Sequence, residues 1–119
     1  MLIYSYTAED AINDGFLHDV SEMAKEAGFK WPVRITAGVF DLVKPSDSAK
    51  QYGQSFKGRL WDVLNMARLA VRRASPDETL TTFEVIFQDG PKIRKTKELW
   101  AALDTTFGPA IHIMLPSEY

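Results

Sequence analysis

Histidines and carboxylates are the side chains that would hold a metal ion or move a proton near neutral pH. This 119-residue chain has two histidines and sixteen Asp and Glu residues. Metal binding needs clustered donors, yet His18 and His112 lie at opposite ends of the sequence and no HxH or HExxH spacing occurs. The nearest approach to a ligand set is His18 with Asp19 and Glu22. Nucleophilic catalysis needs Ser, Thr or Lys activated by a base, and neither GxSxG nor SxxK is present. Gly53 and Gly58 stand isolated, outside any GxxxxGK[ST] or GxGxxG frame that would cradle phosphate. The absence of cysteine removes disulfides, thiolate metal sites and a Cys nucleophile, and suits a reducing cytoplasm. The expectation is a binding protein with no catalytic residues, no metal and no cofactor. His112 sits between Ile111 and Ile113. Strand alternation turns it to the face opposite those isoleucines, where it meets solvent or a local hydrogen-bond partner.

Charge is unevenly spread. The formal net charge is −2, but residues 1–29 hold six acids against Lys25 alone, and residues 30–97 hold thirteen bases against seven acids. Three candidate surfaces follow. Asp19, Glu22 and Glu26 form an acidic stripe on one helix face, suited to a basic partner. Trp61, Arg68 and Arg72 line one flank of a long helix, with Met66 and Leu69 on the side away from its core. Trp and Arg are enriched at interaction hot spots, although Trp61 with Arg68 could equally make an internal cation–π pair. If no other element covers Met66 and Leu69, that side would meet a partner or a second copy of the chain. Lys92, Arg94, Lys95 and Lys97 crowd a hairpin. They could contact phosphate, with Trp100 or Phe87 stacking bases, but lysines on an edge hairpin also block sheet-to-sheet pairing. Nucleic acid is therefore the second choice of partner, after a protein or nucleoprotein complex.

These side chains must be positioned by a short list of elements. Residues 55–73 (SFKGRLWDVLNMARLAVRR) are the longest helical pattern. At 3.6 residues per turn, Phe56, Leu60, Val63, Leu64, Ala67, Ala70, Val71 and Ala74 fall in a sector of roughly 130°. Before it, Thr7 caps a short helix stopped by Gly15. Residues 16–19 are an extended link. Asp19 or Ser21 caps a second helix ended by Gly28. Residues 33–35 form a short strand, and Thr36 caps a third short helix ended by Lys44-Pro45. The polar stretch 46–55 reads as a loop. After residue 78 the period changes to two. Residues 79–88, 99–103 and 110–115 read as strands, with Asp89-Gly90 and 104–109 as turns. Residues 1–6 are an edge strand or arm. The start lacks the basic and apolar regions of a signal peptide, and no apolar run approaches the length of a membrane span. The fold class expected is a single α+β domain over residues 1–119. Short N-terminal helices and one long central helix pack on a C-terminal antiparallel sheet of three to four strands.

Three segments carry a resemblance: DGFLHDVSEMAKEAGFKWPV (14–33), GRLWDVLNMARLAVRR (58–73) and GPAIHIMLPSEY (108–119). Together they resemble a family of short uncharacterised proteins carried on bacterial plasmids and phages. The resemblance covers most of the chain and supplies no catalytic residues. It implies a mobile-element setting, where small acidic proteins often bind host defence machinery, as anti-CRISPR proteins do. The function expected is thus docking onto a host protein or nucleoprotein complex. The alternative is a nucleic-acid-binding accessory protein using the basic hairpin.

Overall fold

A computed structural model describes residues 7–105 and 109–119. The chain runs α1 (Ala8–Asn13), β1 (Leu17–Asp19), α2 (Ser21–Ala27), β2 (Val33–Thr36), α3 (Ala37–Val43), α4 (Asp47–Gln51), α5 (Phe56–Arg73), β3 (Leu80–Gln88), β4 (Arg94–Asp104) and β5 (Ala110–Met114), then a 3-10 turn, Pro116–Glu118. It is an α+β fold in which the long helix packs on a sheet. The opening segment 1–6 and part of the 104–109 turn, both named above, lie outside the described residues.

Local chemistry sets the helix starts. Thr7 and Asp10 exchange side-chain and backbone hydrogen bonds at 3.0 Å each, a reciprocal capping box. Thr36, Ser46 and Ser55 accept from the backbone N–H groups of Val39, Ala49 and Gly58. The Ser46 cap explains why the stretch expected to be a loop contains a helix. Ala49 is fully buried there, so the polar residues around it form an exposed shell over one anchored turn. Ser21 does not cap α2. Its hydroxyl instead bonds both backbone groups of Val33, tying the start of α2 to β2, while Asp19 accepts from the Ser21 N–H at 2.8 Å.

The sheet differs from the expected one. It has five strands in the order β1-β2-β5-β4-β3, and it is mixed. β3, β4 and β5 form the antiparallel meander that periodicity predicts, with the 99–103 segment inside β4. The two extra strands come from the N-terminal half. β2 runs parallel to β5, pairing Val33 with Ile111 and Ile35 with Ile113, and β1 pairs antiparallel with β2. The "extended link" at 16–19 is thus a strand of three residues.

Register divides the side chains between two faces. Val33, Ile35, Phe83, Val85, Phe87, Leu99, Ala101, Ile111 and Ile113 share one face and are all buried. Against them sit Leu60, Val63, Leu64 and Ala67 of α5, with Phe56, Ala70 and Val71 at the margin. That is the predicted core sector. Small residues allow close approach: Ala24 and Ala27 of α2 join Ala67 in the same cluster. The opposite sheet face carries Arg34, Trp100, Ala102, His112 and Met114, with Tyr119 set edge-on to Trp100 at 5.3 Å.

Among the described residues, one charged residue is buried as a whole. Arg59, near the start of α5, is 4% exposed. Its guanidinium donates to Asp89 Oδ1 at 2.8 Å, to the Gln88 carbonyl at 3.0 Å and to Gln54 Oε1 at 3.3 Å, and it lies 4.9 Å above the Phe87 ring. Asp89 also meets exposed Lys95 at 3.2 Å. The two pairs have unequal worth, because a surface ion pair is screened and a buried charge losing its partner is not. Asp89→Ala, which strands the Arg59 charge, is expected to cost about 3 kcal/mol. Lys95→Ala is expected to cost under about 1 kcal/mol. Urea unfolding of both variants beside the parent checks the order, and equal losses would refute the assignment of Arg59 as the anchor.

Candidate partner-binding cleft

The acidic stripe is not a plain solvated face. Asp19 ends β1, and Glu22 and Glu26 lie one turn apart on α2. All three rim a cavity of about 690 Å³. Leu17, Met23, Phe40, Phe56 and Leu60 supply its apolar wall, and Lys57 stands at the start of α5. His18 lies flat on Phe40, with ring centroids 3.9 Å apart and planes 10° from parallel. Phe40 in turn meets Phe56 edge-on at 5.2 Å. The register that places Asp19 opposite Arg34 and His18 opposite Ile35 fixes this arrangement: alternation points His18 toward the helices and Asp19 away from them. Among the described residues no basic side chain lies within ion-pair distance of Asp19, Glu22 or Glu26. Glu22 and Glu26, without an ion-pair partner beside the aromatic wall, suit a ligand with a cationic head and an apolar stem, and Asp19, its carboxyl bonded to the Ser21 N–H, adds charge at the edge. Among the described residues no group of three His, Cys, Asp or Glu is placed to hold a metal ion.

The helix flank named from the sequence is divided. Trp61 is 38% exposed, and its carbonyl accepts from Asn65 Nδ2 at 2.9 Å. Arg68 and Arg72 line a different cavity, beside Phe29 and Trp31 of the α2–β2 connection. The cation–ring contacts of the described residues are Lys44 on Phe40 and Arg59 on Phe87, so Trp61 and Arg68 do not make the internal pair considered above. Met66 is 38% exposed and shares a shallow cavity with Asp62, Glu84 and Ile86, while Leu69 is half-buried. The N-terminal helices pack along other sides of α5 and leave Met66 in the open.

The basic hairpin is likewise split. Lys95 and Lys97 pair with Phe87 and Val85 and share their face; Arg94 pairs with Gln88 on the other. Lys92 lies in the loop between β3 and β4, and Lys95 is engaged by Asp89. The hydrogen bonds from Arg59 and then Lys95 hold the Asp89 carboxyl below its usual value. The four bases therefore do not form one continuous phosphate-contacting strip.

Sequence reasoning did not find Arg59 or the cluster around His112. Alternation did place His112 away from the isoleucines, and it is half-buried there. Arg34 Nη1 donates to its Nε2 at 3.1 Å, and Asp104 Oδ2 lies 3.6 Å from the same nitrogen. Arg34 and His112 are neighbours only because β2 pairs with β5, which no local signal announces.

No family model, curated protein or solved structure matches the chain. No helix of the described residues is long and apolar enough to cross a membrane. The features that bear on function are thus the chain's own: a two-layer α+β scaffold with an acidic, aromatic-walled cleft at one place and cationic side chains gathered at others.

His112 yields a pH prediction. Burial lowers its pKa most, Asp104 opposes that, and the Arg34 charge lowers it further. A histidine with a lower pKa folded than unfolded stabilises the fold fully above its unfolded value, about 6.5. That stability is lost as pH falls through the folded value. The urea midpoint should therefore drop between pH 7.5 and pH 5 more steeply in the parent than in His112→Gln. Parallel pH profiles would contradict the burial of a neutral imidazole.

Proposed function

We propose that this chain is a non-enzymatic binding protein that docks a basic segment of a partner protein in the cleft of Asp19, Glu22 and Glu26. The observation that carries the reading is the union of an acidic rim, Asp19, Glu22 and Glu26, which has no ion-pair partner among the described residues, with the His18–Phe40–Phe56 wall. Carboxylates alone attract and steer a basic partner; an adjoining apolar wall gives an anchor a place to lose water. The occupant that suits both is a helix or strand with Lys or Arg heads beside an aliphatic or aromatic anchor. The resemblance to proteins of mobile elements makes a nucleic-acid-binding host defence component the natural source of such a segment, and the reading of the chain as its inhibitor rests on that resemblance. Phosphate mimicry by the acidic rim would then block the partner's basic channel.

The test uses a labelled amphipathic peptide with lysines along one face and leucines along the other, and its glutamate counterpart as control. The full-length protein should bind the lysine peptide in fluorescence anisotropy, and weaken as salt rises. The triple variant D19K/E22K/E26K should bind at least tenfold more weakly, a loss of about 1.4 kcal/mol, with an unchanged circular-dichroism spectrum, and E22K/E26K, which keeps the Asp19–Ser21 N–H bond, should also weaken binding at the parent's urea midpoint. A triple variant that binds as tightly as the parent would refute the cleft as the docking surface. So would equal binding of the glutamate peptide.

A further inference from the structure

Arg68 and Arg72 are separated by one helical turn near the C-terminal end of α5. Facing them is the short connection from α2 to β2. α2 stops at Gly28, whose φ of +106° is left-handed, and the chain then carries Lys30 and Trp31 alongside the two arginines. Together they wall a cavity of about 440 Å³ whose apolar floor is Val71 and Ile111. Three cations line this space, and no carboxylate does. Among the described residues, none of the three has an ion-pair partner.

Arg68 is the informative member. Its Nε is buried and has no hydrogen-bond acceptor. A donor hidden from water without an acceptor costs about 1–3 kcal/mol, so the Arg68 arm is held at a cost in a position from which the residue lines the cavity. Gly28 makes the arrangement sterically allowed. A Cβ at that position would lie 2.9 Å from Arg68 Cδ, so the arm of the arginine lies where any larger residue would put its side chain. Trp31 adds the second requirement. Its indole is 46% exposed at the mouth, and the same ring also borders a smaller cavity of about 190 Å³. A guanidinium fork binds phosphate oxygens in pairs, and an exposed indole offers a stacking face worth about 1–3 kcal/mol per base. The volume is in the range of small-molecule sites.

We propose that the Lys30, Arg68 and Arg72 pocket is a nucleotide-unit site, with phosphate on the arginines and the base stacked on Trp31. The unit comes either from a free nucleotide or from one position of a single strand. Its lining residues are shared with neither the acidic cleft nor the basic hairpin, so variants can address each separately.

The test titrates the full-length protein with adenosine monophosphate, with inorganic phosphate, and with a labelled eight-nucleotide single-stranded oligonucleotide, all at low salt. Tryptophan fluorescence and anisotropy are the readouts. Trp31→Ala and Arg72→Gln change exposed side chains, and Arg68→Lys keeps the charge while removing the fork. Expected is saturable binding of the mononucleotide, the oligonucleotide or both, weakened at least tenfold by Trp31→Ala and by Arg68→Lys. Binding of the mononucleotide identifies a free nucleotide; binding of the oligonucleotide alone identifies a strand. D19K/E22K/E26K should leave this binding intact. Three results overturn the proposal: no binding of either nucleotide probe, inorganic phosphate competing as well as the mononucleotide with Trp31→Ala silent, or oligonucleotide binding lost on charge reversal of Lys92, Arg94, Lys95 and Lys97 but not in the pocket variants.

Discussion

The parallel pairing of β2 with β5 is the junction on which the rest of the fold hangs. Four side chains, Val33, Ile35, Ile111 and Ile113, meet there, and each is 5% exposed or less. They bring residues from the two ends of the chain into adjacent strands. Parallel strands need a long crossover, and here the crossover contains α3, α4, α5 and the β3–β4 hairpin. On one side of the junction lies the antiparallel meander. On the other lies β1, which carries His18 and Asp19 into the cleft. The junction also fixes the opposite sheet face, where Arg34 reaches His112. Without it, β1 would have no strand to pair with and the acidic rim no wall.

This constraint separates what was legible in the sequence from what was not. α5 was visible because eighteen residues sustain one apolar sector, and β3 because nine residues alternate strictly. Helix caps were visible where a Ser or Thr stood just before an apolar turn. β2 was legible as a short strand at 33–35, but its place in the sheet was not, and β1, with three residues, is too short to display a period. β2 pairs with residues more than seventy positions away and β1 then pairs with β2, so the placement of both is a tertiary effect. The same applies to Arg68. Helical spacing placed it beside Arg72 correctly, but spacing along one helix cannot show that Trp31, not Trp61, is its aromatic neighbour. The acidic stripe was read from α2 alone. The aromatic wall that turns it into a cleft is contributed by α3, α5 and β1.

The uneven charge along the sequence also acquires a spatial meaning. An 18-residue helix is about 27 Å long. The acidic cleft lies by its first turns, at Phe56, Lys57 and Leu60, and the cationic pocket by its last turns, at Arg68, Val71 and Arg72. The backbone dipole favours this order, since helix N-termini attract anions and C-termini attract cations. The cleft and the pocket share no lining residue, and on α5 they are about 12 Å apart, from Leu60 to Arg68. Such separation leaves each surface available to ligands of opposite sign.

Two arginines on that helix show how structural and recognition charges can be told apart. Arg59 sits near the N-terminus, where the dipole disfavours a cation. It persists because Asp89, the Gln88 carbonyl and Gln54 satisfy its fork and Phe87 underlies it. Every favourable contact it needs is within the fold, so adding a ligand would gain nothing. Arg68 is the converse. Its position near the C-terminus is electrostatically favourable, yet among the described residues its Nε is buried without an acceptor and no carboxylate lies within ion-pair distance. The fold shelters the Arg68 arm against Gly28 and leaves its hydrogen-bonding capacity unspent beside an open cavity. What sets Arg68 apart from Arg34 Nε and Trp100 Nε1, which are also buried without a partner among the described residues, is that it lines an open cavity beside an exposed indole, and that conjunction is the basis for proposing an anion carrying a flat ring.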